Sequence, residues 1–425
     1  MVKLSNNFSL IGPINALVIG DLMLDKYTIG KVSRISPEAP VSILKVDSEK
    51  ILPGGAGNVV LNFLSMGSNV KILSRLGLSL EDDILANELK NSKADINHLY
   101  SEKNYKTPIK NRLIADSQQL LRVDNEDLKI IDLELEKKII KDFDEIFKDI
   151  QIVAISDYAK GFLSDNLLKE IINYANDKNI LTIVDPKGND FSKYKNAYLI
   201  KPNFLEAYSA TNSSFNRPLN EVAQALLEIT NSKYLLITNS KDGMSLFDRK
   251  NNRYDFPVIS KELKDPTGAG DTVLAMLCIC LANNINIKIA PTFCNIAAGI
   301  AIEQLGCAKV DLSSLARRML KIDSDNKIFD SKHLYALKKA IKNTDFSILE
   351  ISSNISITST LFQNIKKLSD SGKKDLIVYI NDDNPKDDFI SFLSSLNEIS
   401  FIILNSKNYK SLIKEIKPGK IFQMK

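Results

Sequence analysis

A mostly parallel α/β sheet, followed by a second and shorter α/β unit, is the fold the sequence predicts, and two observations carry it. Short apolar runs alternate with longer helical patterns through the first three quarters of the chain, the signature of β-α-β units. The apolar runs also end in polar or charged residues: "ALVIGD" at Asp21, "IVAISD" at Asp157, "LTIVDPK" at Asp185 and Lys187, "AYLIKPN" at Asn203, and "YLLITNS" at Ser240. In open α/β sheets the ligand crevice lies beyond the carboxyl ends of the strands. One such end is chance; several together predict a site.

Two segments interrupt the alternation. "YTIGKVSRISPEAPVSILKVDSEKILPGG", Tyr27 to Gly55, alternates apolar and polar residues and carries prolines that forbid helix. "NYKTPIKNRLIADSQQLLRVD", Asn104 to Asp124, reads similarly. Segments 26–53 and 104–124 are therefore either a small accessory sheet over the crevice or edge strands of the main sheet. The first domain is expected to span 1–325. Residues 326–342 read as a polar linker with one amphipathic helix. Residues 343–425 form the second α/β pattern, with strands at "FSILEIS", "DLIVYIND" and "ISFIILN".

Composition narrows the class. The chain has 425 residues, 44% hydrophobic and 25% charged, which is ordinary globular usage. Its net charge of +4 is spread among interleaved acids, which argues against a nucleic-acid partner. The N-terminal apolar run is broken by Gly12, Pro13 and Asn15, so no signal peptide is expected. No run approaches the ~18 apolar residues of a membrane helix, so no membrane partner is expected either. Cys278, Cys280, Cys294 and Cys307 lack metal spacing and read as buried free thiols of a cytoplasmic protein. With only His98 and His333, histidine-based metal sites and Ser-His pairs are close to excluded.

The densest motif is "DPTGAGDTVLA", Asp265 to Ala275. No Gly-Lys-Ser/Thr follows, so it is not a Walker A loop, and Val273 stands where a dinucleotide fingerprint needs its third glycine. Thr267, Gly268, Ala269 and Gly270 can line up backbone N–H groups at a helix N-terminus, where an anion approaches closely. Asp271 would repel a phosphate. It is either an N-cap or a base that takes the proton of a hydroxyl attacking phosphorus.

The motif resembles the signature of the ribokinase-like sugar kinases, the phosphofructokinase-B family, whose last aspartate is the catalytic base. "GGAGNVVLN", Gly54 to Asn62, is similar to that family's N-terminal glycine motif, and "NFLE", Asn203 to Glu206, to its Asn-x-x-Glu element. Together "GDLMLDKY", "SRISPEAPV", "PGGAGNV", "SDYAKG", "DPKGNDFSKY" and "DPTGAGDTV" resemble the kinase half of the bifunctional ADP-heptose synthesis family, over about Asn15 to Leu315. The resemblance implies a ribokinase-like three-layer α/β/α sandwich with a small β-sheet lid. It implies ATP and Mg²⁺, and phosphorylation of D-glycero-β-D-manno-heptose 7-phosphate at its anomeric hydroxyl. A kinase of another sugar or sugar phosphate, or a non-catalytic sugar-phosphate or nucleotide sensor, are the alternatives.

Site roles follow from the same resemblance. Asp271 is the implied base, with the Gly268, Ala269 and Gly270 amides stabilising the transferred phosphoryl group. Asn203, Phe204, Leu205 and Glu206 face the nucleotide, with Glu206 holding Mg²⁺ through water. Thr238, Ser240, Gly243 and Thr267 also line the nucleotide site, and Asn295 lies near the base. Asp21, Asp25, Gly54, Gly55, Asn58 and Asp157 would hold sugar hydroxyls. Lys187 is expected on the sugar phosphate, with Lys110, Arg112, Arg122 and Lys160 as further candidates. A homodimer through the lid is expected.

The tail resembles the family's nucleotidyltransferase domain in outline only. Its His-x-Gly-His element should fall near Ile355–Ser359, where "ISITS" holds no histidine, and the chain stops before the family's remaining strands. A degenerate domain without adenylyltransferase activity is the expectation. In the kinase half, "RLGLSLEDDILANEL" lacks the glycine usual after the acidic pair, away from the implied chemistry.

Overall fold

The computed structural model describes residues 8, 10–116, 118–258, 266–303, 309–322, 327–329, 334–341, 344–370, 375–404 and 409–424. The chain divides into two compact units. One comprises Pro13–Ala282 and Asn286–Val310; the other comprises Met1–Gly12, Asn283–Ile285 and Asp311–Lys425. Asp265, Cys307 and His333 lie outside the described residues.

Among the described residues the larger unit holds thirteen strands: β1 (Asn15–Gly20), β2 (Leu22–Ile35), β3 (Ser42–Gly55), β4 (Asn69–Leu76), β5 (Asp95–Ser101), β6 (Ile109–Ala115), β7 (Gln118–Asn125), β8 (Ile152–Ser156), β9 (Leu181–Asp185), β10 (Leu199–Ile200), β11 (Tyr234–Thr238), β12 (Met244–Asp248) and β13 (Arg253–Phe256). Nine of them form one sheet in the order β13-β12-β11-β10-β9-β8-β1-β4-β5. Pairing is parallel from β5 across to β11, and antiparallel for β12 and β13. The central strands are apolar and buried on both faces, as a sheet covered by helices on each side requires.

From β1 the chain steps outward to β4 and β5, then returns to run β8, β9, β10 and β11 in the opposite direction. The order therefore switches between β1 and β8, and Asp21 and Asp157 are the residues that follow those two strands. A switch point opens a crevice because the two flanking connections leave on opposite faces. One layer beside it contains the Ala269–Ala282 helix, which packs on the Ala56–Ser65 and Ala290–Ile302 helices. Residues Asp271 to Leu281 of that helix are all buried, in keeping with its apolar sequence all round. Its cysteines, Cys278 and Cys280, and neighbouring Cys294 are free buried thiols, and burial pushes all three up.

The two interrupting segments form a sheet of their own, ordered β3-β2-β6-β7, which decides between the two sequence readings. β2 begins one residue after Asp21, so this sheet is rooted at the carboxyl end of β1. β3 returns to the site through Gly54 and Gly55. Both ends of the β2–β3 pair are thus rooted at the crevice.

The smaller unit contains β14 (Ile328–Phe329), β15 (Phe346–Ile351), β16 (Asp375–Ile380), β17 (Phe401–Leu404) and β18 (Lys420–Gln423). They form a wholly parallel sheet in the order β14-β17-β16-β15-β18. The three strands expected from the sequence are β15, β16 and β17. The stretch read as linker supplies β14 and a helix at Leu334–Ala340. Among the described residues no helix is long and apolar enough to cross a membrane.

One buried cation holds the larger unit together near the crevice. Arg75 on β4 is 1% exposed; it donates to Glu102 at 2.6 Å, to the Lys160 carbonyl at 3.1 Å and to the Lys129 carbonyl. Its guanidinium also lies 3.9 Å from the Tyr105 ring centroid. Removing one partner of a buried pair strands the other charge. Glu102 is also paired with Lys129 at 2.7 Å. Arg75→Ala is expected to cost about 3–5 kcal/mol in urea unfolding; a loss under about 1 kcal/mol would mean that the Lys129 pair and water suffice for Glu102.

Candidate active site

Two glycine turns bring two helix N-termini together. Gly55 precedes the Ala56–Ser65 helix with φ 57° and ψ −131°, a combination that L side chains avoid, and a Cβ there would meet the Asp21 carbonyl at 2.6 Å. The Asp21 carbonyl accepts the Ala56 N–H at 3.0 Å, which seats the helix start against β1. Gly268, at φ 79°, does the same service before the Ala269–Ala282 helix. Gly54 answers a different need, since a Cβ on it would lie 2.2 Å from Asp25 Oδ2.

Asn58 and Asp271, each in the first turn of its helix, meet at the junction. Asn58 Nδ2 donates to Asp271 Oδ2 at 2.8 Å, and the Tyr158 hydroxyl donates to Oδ1 at 2.8 Å. Asp271 is the third residue of its helix and receives donors from distant segments, so the structure does not use it as an N-cap. Burial pushes its carboxyl up to about 7. The Asn58 hydrogen bond opposes that rise, nearby Asp185 adds to it, and Tyr158 and Lys201 oppose it. A carboxylate poised near neutrality is the condition for a general base, because it is both available and basic.

Beside the first turn lies a second charged pair. Lys201 Nζ is 2.9 Å from Asp185 Oδ1, and both groups are largely buried. A Cβ on Gly270 would be 3.7 Å from each of them, so Gly270 opens the helix start onto this pair. Asn203 and Glu206 form a reciprocal capping box: the Asn203 side chain accepts the Glu206 N–H, and Glu206 accepts the Asn203 N–H, both at 2.9 Å. Glu206 also takes the Lys187 ammonium at 2.7 Å. Lys187 therefore stands with the Asn-x-x-Glu element.

The other expected residues divide plainly. Thr238 is bridged to Asn203, which carries β11 to the same rim. Ser240 follows at φ 42°, and Gly243 has no room for a Cβ, which would meet the Phe256 carbonyl at 2.1 Å. Asn295 donates to the Phe256 and Pro257 carbonyls at 2.9 and 3.2 Å, so its amide pins the end of β13. Phe204 lies among Tyr208 and Phe215, whereas Leu205 is exposed. Thr267 lies in the turn before Gly268.

On the lid side, Asp25 is ion-paired with Arg112 across β2 and β6. Asp21 accepts three backbone N–H groups, from Tyr158 and Lys160 at 3.0 Å and Phe162 at 3.2 Å. Asp157 accepts from the Tyr194 hydroxyl at 2.6 Å, Lys193 at 2.7 Å and the Ala159 N–H at 2.6 Å. Both carboxylates serve the chain's own polar groups. Arg122 is paired with Asp124 and Lys160 with Glu126.

Tyr158 and Lys201 are the site residues that sequence reasoning passed over. Each immediately follows a polar strand end or the strand itself, in "SDYAKG" and "LIKPN". Extending the strand-end rule by one residue would have found Tyr158; Lys201 lies within the run that the rule ended at Asn203.

The cost of burying Asp271 has a measurable consequence. Its folded pKa of about 7 exceeds the ordinary 3.8, so the folded state holds the proton more tightly than the unfolded one. The stability it contributes is present at low pH and is lost as pH rises through the interval up to about 7. Asp271→Asn escapes that loss. Its melting temperature is expected to gain on wild type between about pH 4 and 7 and to keep a constant advantage above; parallel curves across the interval would show that the carboxyl titrates normally.

A model of the pfkB family carbohydrate kinases matches residues 14–314. The bifunctional protein HldE of Aliarcobacter butzleri is 36% identical over 432 residues, covering 95% of this chain and 88% of that protein. The bifunctional protein HldE of Geobacter metallireducens is 38% identical over 333 residues, 77% of this chain and 68% of its own length. Among solved structures, Escherichia coli phosphofructokinase-2 in complex with potassium superposes with a TM-score of 0.60 at 19% identity, over 73% of this chain and 99% of that one. Arabidopsis thaliana ribokinase complexed with ribose and ATP superposes with a TM-score of 0.57 at 16% identity, over 72% and 99%. These two likenesses establish the ribokinase-like fold. The family match spans most of the sequence and contains the whole Asn58–Asp271 junction, and the chain belongs to the pfkB family of carbohydrate kinases.

Proposed function

We propose that the protein transfers the γ-phosphoryl group of ATP to the anomeric hydroxyl of D-glycero-β-D-manno-heptose 7-phosphate. The product is the 1,7-bisphosphate, a precursor for ADP-heptose and the lipopolysaccharide core. The carrying observation is Asp271, buried at a helix N-terminus, pushed up to about 7 and held by Asn58 and Tyr158. The extended likeness to bifunctional HldE proteins supports the choice of sugar.

The anomeric hydroxyl gives its proton to Asp271 as its oxygen forms the new bond to the γ-phosphorus. The bond from that phosphorus to ADP breaks, and ADP leaves with the electron pair. Charge on the transferred group is met by the first-turn amides of Gly268, Ala269 and Gly270. Oxygen donors at Asp185 and Glu206 suit a hard cation that keeps its waters, which fits Mg²⁺. When bound, Mg²⁺ supplies neutralisation of the nucleotide phosphates. Lys187, placed on Glu206, serves the same phosphates.

The sugar 7-phosphate is assigned to Lys110 and Lys160 beside Tyr158. Lys110 Nζ lies 5.7 Å from the Tyr158 ring centroid. Burial pushes the Lys110 ammonium down, and Lys160 adds to that, so an arriving dianion relieves both. Thr238, Ser240, Gly243, Thr267 and Asn295 line the nucleotide side, and Asp25, Gly54 and Gly55 the sugar side.

The smaller unit is proposed to be a degenerate nucleotidyltransferase-like domain without adenylyl transfer. The turn between β15 and the Ser359–Asp370 helix carries Ile355–Ser359, which offers no imidazole to a phosphorus centre. Asp382 is occupied there by Ser352 and Ser353. A homodimer through the lid is also proposed, because Ile29, Ile35, Val41, Val46, Leu121 and Val123 are exposed on it. Sedimentation velocity should give twice the chain mass, with monomers after Val46→Glu; an unaltered monomer in both would dismiss the dimer.

With ATP and Mg²⁺, heptose 7-phosphate should give a new anomeric phosphate signal by phosphorus NMR, and ribose or fructose phosphates little. Asp271→Asn is expected to lower turnover about 10²–10⁴-fold while retaining ATP binding. Heptose 1-phosphate with ATP should release no pyrophosphate. Binding without turnover in the wild type would favour a sensor, and preference for another sugar would reassign the substrate.

A further inference from the structure

Tyr158 has no part in the transfer steps above, yet it is one of the two donors on the base. Its surroundings are built to hold it there. The loop from Asp157 to Phe162 presents its N–H groups to Asp21: Tyr158 and Lys160 donate to Oδ2, and Phe162 donates to Oδ1. Its carbonyls are held from the other side, Lys160 by Arg75 at 3.1 Å and Gly161 by the Ile131 N–H at 2.8 Å. Ala159 and Gly161 have φ of 54° and 90°, and a Cβ on Gly161 would meet the Lys129 carbonyl at 2.2 Å. A loop with two left-handed residues keeps its shape only when its surroundings over-determine it.

Asp21 is buried; burial and nearby Asp157 push its carboxyl up, and the three amides oppose that rise. Burial holds the Tyr158 hydroxyl protonated well above its ordinary range, so it donates at every working pH and never competes as a base. The lid closes on the ring from outside, with Lys110 Nζ 5.7 Å from its centroid.

We propose that Tyr158 is a positioning residue for Asp271, and that Asp21 acts through it by clamping the Asp157–Phe162 loop rather than by holding sugar hydroxyls. The inference rests on Asp271 being the base. A hydroxyl donor on Oδ1 fixes the plane of the carboxylate and favours its ionised form, leaving the remaining lone pairs aimed at the acceptor hydroxyl. The other groups around Asp271 are Asn58 from the Ala56–Ser65 helix, Asp185 from the end of β9 and Lys201 from beyond β10. Asp25 and Lys110 face Tyr158 from the lid.

Tyr158→Phe keeps the ring and deletes the hydroxyl. With heptose 7-phosphate and ATP, kcat is expected to fall about 10–100-fold, the scale of one hydrogen bond to a charged group. The acid limb of the kcat profile should move to higher pH by about one unit, while KM for ATP stays within about twofold. Asp21→Asn should lower kcat in the same direction, and the double variant should fall no further than the worse single one, because the two act in series. An unmoved acid limb in Tyr158→Phe overturns the proposal, as does a rise confined to the sugar KM, which would make Tyr158 a sugar contact. Additive losses in the double variant would show Asp21 acting separately. If Asp271→Asn itself turns over normally, the base assignment fails, and that outcome is read independently of Tyr158.

Discussion

The hydrogen bond from Asn58 to Asp271, 2.8 Å long between residues 213 apart in the chain, is the contact around which the larger unit's candidate site is built. It joins the first turns of two helices that start at glycine turns, so it brings two sets of helix-end amides and one carboxylate to a single point. Neither helix could reach that point alone. The Ala56–Ser65 helix is seated by the Asp21 carbonyl, and the Ala269–Ala282 helix by packing across β8 and β9. Residue placement at the junction therefore depends on the parallel sheet beneath, whose strand order reverses at that place.

Burying so many charges near one crevice is tolerable because each has a partner of the right kind. Asp21 holds amides, Arg75 holds carbonyls and Glu102, Lys201 holds Asp185, and Asp157 holds Tyr194 and Lys193. Asp271 takes its two donors from side chains of distant segments, Asn58 and Tyr158, and burial pushes its carboxyl up to about 7. The site separates carboxylates that hold the chain's own loops and cations from the candidate base. Sequence alone shows three acids at strand ends, Asp21, Asp157 and Asp185, and does not distinguish them.

Much of the fold was legible in the chain. The periodicity of "ALVIGD", "IVAISD" and "LTIVDPK" marks buried parallel strands because both faces are covered and no polar alternation survives. Proline and alternation in Tyr27–Gly55 mark strands rather than helix, and only pairing could show that they make a sheet of their own. Chain texture was less informative for 326–342, where a two-residue strand and a seven-residue helix carry too few residues for a period to emerge. The lysines were least legible, since a long flexible side chain reports nothing of its partner: Lys187 lies on Glu206, and Lys201 is buried against Asp185.

By itself, then, the sequence determined where strands end, where glycine must stand and which acid follows the glycine turn, because these depend on local sterics and on apolar period. Tertiary structure alone decided what each acid touches. Asp21 and Asp157 became anchors because a loop and a tyrosine fold onto them, and Asp271 became the candidate base because its helix buries it against Asn58 and Tyr158. Hydrogen-bond partners and desolvation are long-range properties, set by segments as far apart as residues 21, 158 and 271, and no local pattern encodes them.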